Sequence, residues 1–223
     1  HAPLVRALLE RRSVVVVAAH FGNFELGGYL LGLLGFPTHT VARKLDNPYL
    51  HDFINRFRSK TGQYMIPKIG GYEQICTVLE QNGVMTFVAD QYAGIEGCKV
   101  EFFGRPVSAH KAIALFALRH EAVIAVGSLR RLNAPMRYEM RVDAIVDAKN
   151  LDPRIAGSRE MTQWFTSEME KFIRLAPEQY WWLHTRWRVP PVWGRPRRRP
   201  RRRANAQAAA KPSAPRTNQP ETD

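Results

Sequence analysis

The sequence predicts a single-domain α/β fold, a mixed but mostly parallel sheet flanked by helices. Two observations carry that expectation. Short β-branched or apolar runs alternate along the chain with segments of helical periodicity, the order produced when strands are followed by covering helices. At 223 residues and 45% apolar content the chain can build one sizeable core, and nothing marks a second.

Val14 to Ala19 is β-branched and wholly apolar, hence a buried strand. Phe24 to Leu34 follows as a helix with a small-residue face (Gly27, Gly28, Gly32), stopped by Gly35 and Pro37. Thr38 to Ala42 returns to strand. Asn47 caps a helix reaching about Ser59, with Pro48 in its first turn. Gly62 to Ile66 is a short strand, Gly71 to Gln81 an amphipathic helix, and Val84 to Ala89 another apolar strand. Lys99 to Phe103 is a candidate strand before the turn Gly104-Arg105-Pro106, and Ser108 is expected to cap a helix ending near Arg119. Ala122 to Ser128 and Tyr138 to Val146 read as strands. Ser158 to Leu175 is the last helix, stopped by Pro177.

The net charge of +13 is unevenly spread: +9 of it falls from Arg186 onward. Residues 1–190 are expected to form the folded domain and 191–223 a disordered tail, because prolines and like charges around Arg197-Arg198-Arg199 resist packing. Such a tail suits an anionic membrane leaflet or a nucleic acid. The chain opens on His1 rather than Met, so an amino-terminal part is expected to be missing, and any membrane anchor would lie there. Leu26 to Thr40 is too short and broken to span a bilayer, which needs roughly 20 apolar residues.

Cys76 and Cys98 form neither a CxxC pair nor a disulfide framework, and the seven histidines show no HExxH or HxH spacing, so no metal site is expected. GxSxG, GxxxxGK[ST] and GxGxxG are all missing, which leaves serine hydrolases, P-loop hydrolases and dinucleotide oxidoreductases without their defining motif.

Three strands end in polar groups: Ala19 before His20, Ala42 before Arg43 and Ala89 before Asp90-Gln91. If those strands are parallel neighbours, the three sites meet at one sheet edge, where open α/β folds hold ligands. His20 in the strand-to-helix turn and Glu25 on the first helical turn could pair as base and orienting acid. Gly22-Asn23 permits the turn. The same residues also fit a strand-end histidine with satisfied hydrogen bonds and a glutamate facing the helix dipole. Arg43 could clamp an anion or pair with Asp46 in solvent. Phe103-Gly104 offers a hydrophobic wall or a hairpin corner. Tyr180 to Arg188 gathers three tryptophans with His184, Arg186 and Arg188.

In order, these pieces resemble the bacterial lipid A biosynthesis acyltransferase family. His20-Phe21-Gly22-Asn23-Phe24-Glu25 looks like its HxxxxE block and Arg43-Lys44-Leu45-Asp46-Asn47-Pro48-Tyr49-Leu50 like its R-x-L-D-N-P-x-L block. Asp90-Gln91, Val100 to Val107 and Pro177 to Arg186 are similar to its later segments. The resemblance covers about residues 14–188 and implies a glycerolipid-acyltransferase-like fold on the cytoplasmic face of the inner membrane. It implies transfer from an acyl carrier protein thioester to a hydroxyl of an anionic glycolipid, a lipid A precursor or a mannosylated lipid, with no cofactor and no metal. His20 would be the base and Glu25 its catalytic partner, so Glu25→Gln should harm rate more than acceptor affinity. Arg43, Asp90, Gln91, Asn23, Phe103, Gly104, His184 and Arg186 are the candidate substrate-binding residues. The rival from another class is a nucleic-acid-binding protein using the tail and the aromatic cluster.

Overall fold

The computed structural model describes residues 2–188, with Pro190 and Trp193. The Arg-rich tail expected to be disordered lies outside the described residues. Eight strands are seen: β1 Val14–Ala18, β2 Thr38–Ala42, β3 Gln63–Pro67, β4 Val84–Val88, β5 Cys98–Phe102, β6 Arg105–Ala109, β7 Val123–Arg131 and β8 Tyr138–Asp147. The helices are α1 Ala2–Leu9, α2 Phe24–Leu33, α3 Pro48–Ser59, α4 Tyr72–Glu80, α5 Ala112–Arg119 and α6 Ser158–Leu175.

The main sheet runs β3-β2-β4-β1-β7-β8, parallel throughout except for β8, which returns antiparallel beside β7. Central β1 takes the four-valine run: Val14, Val15 and Val17 have no exposed surface. Strands buried on both faces read as continuous apolar runs, which is why β1 and β4 stood out. One face is sealed by α6, whose Met161, Phe165, Met169, Phe172 and Ile173 recur at helical spacing and are all buried. Each such side chain contributes about 1.5–3 kcal/mol by leaving water.

Two departures from expectation concern local chemistry. Ser108 does not cap a helix. It lies in β6, where its hydroxyl donates to the Gly94 carbonyl at 2.6 Å, and α5 begins only at Ala112. The reason is the turn before it: Phe103 and Gly104 both have positive φ (52° and 69°), the two-residue hairpin that folds Arg105–Ala109 back on β5. The second is α1, a segment given no assignment from sequence, whose Leu4 and Ala7 pack with Val14, Val84, Val123 and Ala125.

Candidate functional site

The parallel register of β1 and β4 pairs Ala18 with Val88; two residues further, it brings His20 and Asp90 together above the sheet. Asp90 is fully buried. Its Oδ1 lies 2.7 Å from His20 Nδ1, and its Oδ2 accepts the His20 backbone N–H at 3.0 Å. One carboxylate therefore fixes both the ring and the main chain of the histidine. Burial alone would raise the Asp90 pKa. The hydrogen bonds and charge of His20, with a smaller contribution from His184, outweigh that and hold the carboxyl below its ordinary value. An ionised carboxylate only accepts, so His20 donates through Nδ1, and in the neutral ring Nε2 is then the nitrogen without a proton. That nitrogen faces the Gln91 side-chain amide at 3.4 Å.

The ring is boxed by Phe24 and Trp181, edge-on at 4.9 and 5.9 Å between centroids. The turn that carries it is set by Gly22, with φ of +57°. A Cβ there would lie 1.9 Å from the Leu129 carbonyl oxygen of β7, so no other residue fits without moving the sheet. Tyr180 bridges to Phe21, and the Trp181 N–H donates to the His20 carbonyl, so the C-terminal segment closes over the loop.

His184 comes from that segment. Its Nε2 lies 3.2 Å from the Asp90 carbonyl oxygen, 3.6 Å from Asp90 Oδ2 and 3.2 Å from the Tyr180 hydroxyl. Burial lowers its pKa despite the opposing charge of Asp90, so it stands as a neutral donor behind the carboxylate. Arg186 is also behind Asp90, without exposed surface, donating to the carbonyls of Gln91 at 2.7 Å and Ser108 at 3.0 Å and lying over Phe102. Through Nη1 it clamps the Asp90-Gln91 loop to β6, while its Nε and Nη2 have no hydrogen-bond partner among the described residues.

Among the described residues, His20, Asp90 and His184 form a group whose ligand atoms lie within 4.8 Å of one another, a cluster that no local motif announces. Ligands about 2.0–2.1 Å from a tetrahedral ion sit about 3.3 Å apart. His20 Nδ1 and Asp90 Oδ1 are closer than that, at hydrogen-bond separation. The cluster fits proton sharing, and an ion would require it to widen.

Glu25 does not pair with His20. Its carboxylate is held by Arg58 of α3, with Nη2 to Oε1 at 2.5 Å and Nε to Oε2 at 3.1 Å. The physical reason is placement: Glu25 is the second residue of α2, and the histidine's Nδ1 is already filled from the neighbouring strand. The Glu25–Arg58 pair forms part of a groove of about 510 Å³ with Arg43, Lys44, His51 and Asn55. Arg43 is exposed and bonds to Asp46 at 2.9 Å. A second space is an apolar cavity of about 90 Å³ whose wall includes Ala19 and Phe21, on either side of His20 in the chain, with Phe24, Gly27, Leu31 and Leu129.

Three other expected substrate residues have local duties. Asn23 caps α2, its Oδ1 accepting the Leu26 N–H at 3.1 Å. Phe103 and Gly104 form the β5–β6 hairpin corner; the Phe103 ring packs on Phe102, Trp182 and Trp187 under Arg174, and neither residue lines the cavity or the groove. Arg58 and Phe24 were not singled out from sequence as site residues, because one reads as a surface helix arginine and the other as core.

A sequence profile described as bacterial lipid A biosynthesis acyltransferase matches residues 3–189. The lipid A biosynthesis palmitoleoyltransferase of Escherichia coli K12 is 27% identical over 192 residues, which is 85% of this chain and 60% of its own length. The lipid A biosynthesis lauroyltransferase of the same strain is 24% identical over 184 residues, 82% of this chain and 58% of its own. A Mycobacterium tuberculosis phosphatidylinositol mannoside acyltransferase is 29% identical over 104 residues, 45% of this chain and 33% of its own. The chain spans about 60% of the length of the palmitoleoyltransferase.

Proposed function

This chain belongs to the bacterial lipid A biosynthesis acyltransferase family, and from that premise we propose that it moves a fatty acyl chain from a thioester to a hydroxyl of a lipid A-like glycolipid. His20 Nε2 takes the hydroxyl proton as the oxygen attacks the thioester carbonyl. Asp90 stabilises the imidazolium that forms. The tetrahedral oxyanion collapses, the carbon–sulfur bond breaks, and the departing thiolate recovers the proton from His20. Gln91, in reach of Nε2, must yield to the acceptor hydroxyl or hold it.

The observation that carries this reading is a buried carboxylate on Nδ1 of a histidine whose other nitrogen lies beside the Gln91 side-chain amide. That arrangement sets the tautomer a general base needs and does so without a nucleophilic serine or cysteine. The apolar cavity is the site for the acyl chain near its reacting end. At about 90 Å³ it is smaller than the roughly 300–1,000 Å³ typical of ligand pockets, so most of a long chain runs outside it as the fold stands. The groove, with Arg43, Lys44 and Arg58, receives the anionic part of the acceptor. Glu25 acts at one remove, holding Arg58 toward the groove. An acidic acyl carrier protein is the donor partner, drawn by the chain's positive charge, and the reaction takes place at the cytoplasmic face of the inner membrane. No helix among the described residues is long and apolar enough to cross a membrane, which fits docking at the surface. No metal or organic cofactor takes part.

The test is a transfer assay with acyl carrier protein thioester and a lipid A precursor. His20→Ala is expected to lose about 10²–10⁴-fold in rate while keeping its circular dichroism. Turnover within a few fold of the unaltered chain would remove His20 from the chemistry. Replacing the acceptor by a mannosylated phosphatidylinositol decides which glycolipid is used.

A further inference from the structure

Helix α3 leaves every one of its twelve residues short of burial. Tyr49, Phe53 and Phe57 recur every fourth residue and so share one face, with Leu50 beside them. Tyr49 is 85% exposed and Phe53 64%. The Phe57 ring stacks on Tyr29 of α2 at 5.1 Å, and Leu33, one turn beyond Tyr29 on that helix, is exposed together with Leu34. Two helices thus present a joined aromatic and aliphatic face to solvent, flanked by the exposed cations Arg56 on α3, Lys60 just after it, and Arg43 and Lys44 before it, four cations against the exposed acids Asp46 and Asp52. Aqueous exposure of such a face is unfavourable unless something covers it.

We propose that this α2–α3 face is the surface by which the protein docks on an anionic lipid bilayer, with Tyr49, Leu50 and Phe53 entering the interface. Amphipathic rings at the headgroup level and basic side chains around them are the composition that interfacial helices use. A second copy is the competing occupant, but two such faces brought together would oppose rims with an excess of cations, whereas anionic headgroups complement that excess. The placement also has a use. The same α2 walls the apolar cavity, and the same α3 walls the basic groove, so a lipid can reach both without leaving the bilayer. That use rests on the glycolipid-acceptor reading above; the docking itself is measured without turnover, so the two fail separately.

The experiment is flotation of the 223-residue protein with vesicles of phosphatidylcholine alone or mixed with phosphatidylglycerol, at low and high salt. The unaltered protein is expected to bind the mixed vesicles and to weaken as salt rises. Tyr49→Ser/Phe53→Ser should weaken binding by roughly tenfold or more, the order expected when two large side chains no longer insert. Tyr49→Leu/Phe53→Leu should retain most of it. Met136→Ser, an exposed apolar side chain at the β7–β8 turn, is the distant control and should change binding less than about twofold. Circular dichroism verifies that each variant folds. Undiminished vesicle binding in the double serine variant overturns the proposal, including the case in which removing residues 195–223 is what abolishes binding. So does a dimer in sedimentation that the double serine variant dissolves while vesicle binding stays unchanged.

Discussion

The rim above β1 and β4 and the flank formed by α2 and α3 treat polar groups in opposite ways. At the rim, Asp90, His184 and Arg186 are enclosed, and their hydrogen bonds run to one another's loops, while His20 Nε2 lies beside the Gln91 amide. On the flank, Arg43 and Asp46 meet in solvent, Glu25 is half exposed beside Arg58, and aromatic rings stand in water. Low-dielectric surroundings strengthen a fixed hydrogen bond and fix geometry, which bond-making needs. An open, charged and greasy flank suits the adaptable recognition of a large amphiphile proposed for it. The proposed chemistry and the proposed recognition thus fall on adjacent parts of the molecule.

The sharpest way to break the comparison is to exchange effects between the two sides. His20→Ala and Asp90→Asn act on the rim and should each lower kcat by about 10²–10⁴-fold, the range for loss or mis-orientation of a general base. Glu25→Gln acts on the flank and should raise the acceptor KM by roughly tenfold with kcat changed far less, because it frees Arg58 rather than His20. This reverses the expectation drawn from the HxxxxE spacing, and a kcat-dominated loss in Glu25→Gln would restore it.

A smaller effect belongs to the cavity wall. A Cβ on Gly27 would meet nothing nearer than Leu129 Cβ at 3.9 Å, so Gly27→Met has room to enter the cavity. It should shift acyl preference toward shorter chains by about fivefold in kcat/KM, the lower end of the roughly 1–3 kcal/mol at stake per methylene. Unchanged preference across a thioester series would place the acyl chain elsewhere. Chelation should have the smallest effect on rate. With His20 and Asp90 at hydrogen-bond distance, EDTA is expected to leave turnover within about twofold. Loss restored by a divalent cation would instead make the His20, Asp90 and His184 cluster a metal centre.

Stability offers a separate check on the enclosed side. Burial first, then the charges of Lys68 and Arg186, push the His110 pKa down to about 4. The unfolded chain takes up a proton near the ordinary histidine value while the folded one does not, so stability falls as pH drops from about 6.5 toward 4. The contribution is of order 3 kcal/mol. His110→Gln should flatten that part of the acid denaturation curve. Asp90 adds a loss at lower pH, since its depressed pKa stabilises the fold only while the carboxylate stays ionised.

Much of the architecture was legible because the signals are local. The valine run of β1, the Asn47-Pro48 start of α3 and the apolar spacing of α6 each specify their element within a few residues. The convergence of His20 and Asp90 on one edge was legible as well, given parallel strands. What escaped was which acid the histidine uses. Glu25 is five residues from His20 and Asp90 is seventy, and sequence proximity favours the nearer one. Register across β1 and β4 decides for the other, and register is a tertiary property. The Ser108 cap failed for a related reason: a two-residue hairpin at Phe103-Gly104 turned the presumed helix start into a strand.

The most direct measurement is the pH dependence of kcat in Asp90→Asn and Glu25→Gln, side by side with the unaltered enzyme. The arrangement predicts that Asp90→Asn loses turnover by about 10²-fold or more at every pH and loses the limb set by the base, while Glu25→Gln keeps both the profile and most of the maximal rate. The opposite pattern, an intact profile in Asp90→Asn and a collapsed one in Glu25→Gln, would contradict it.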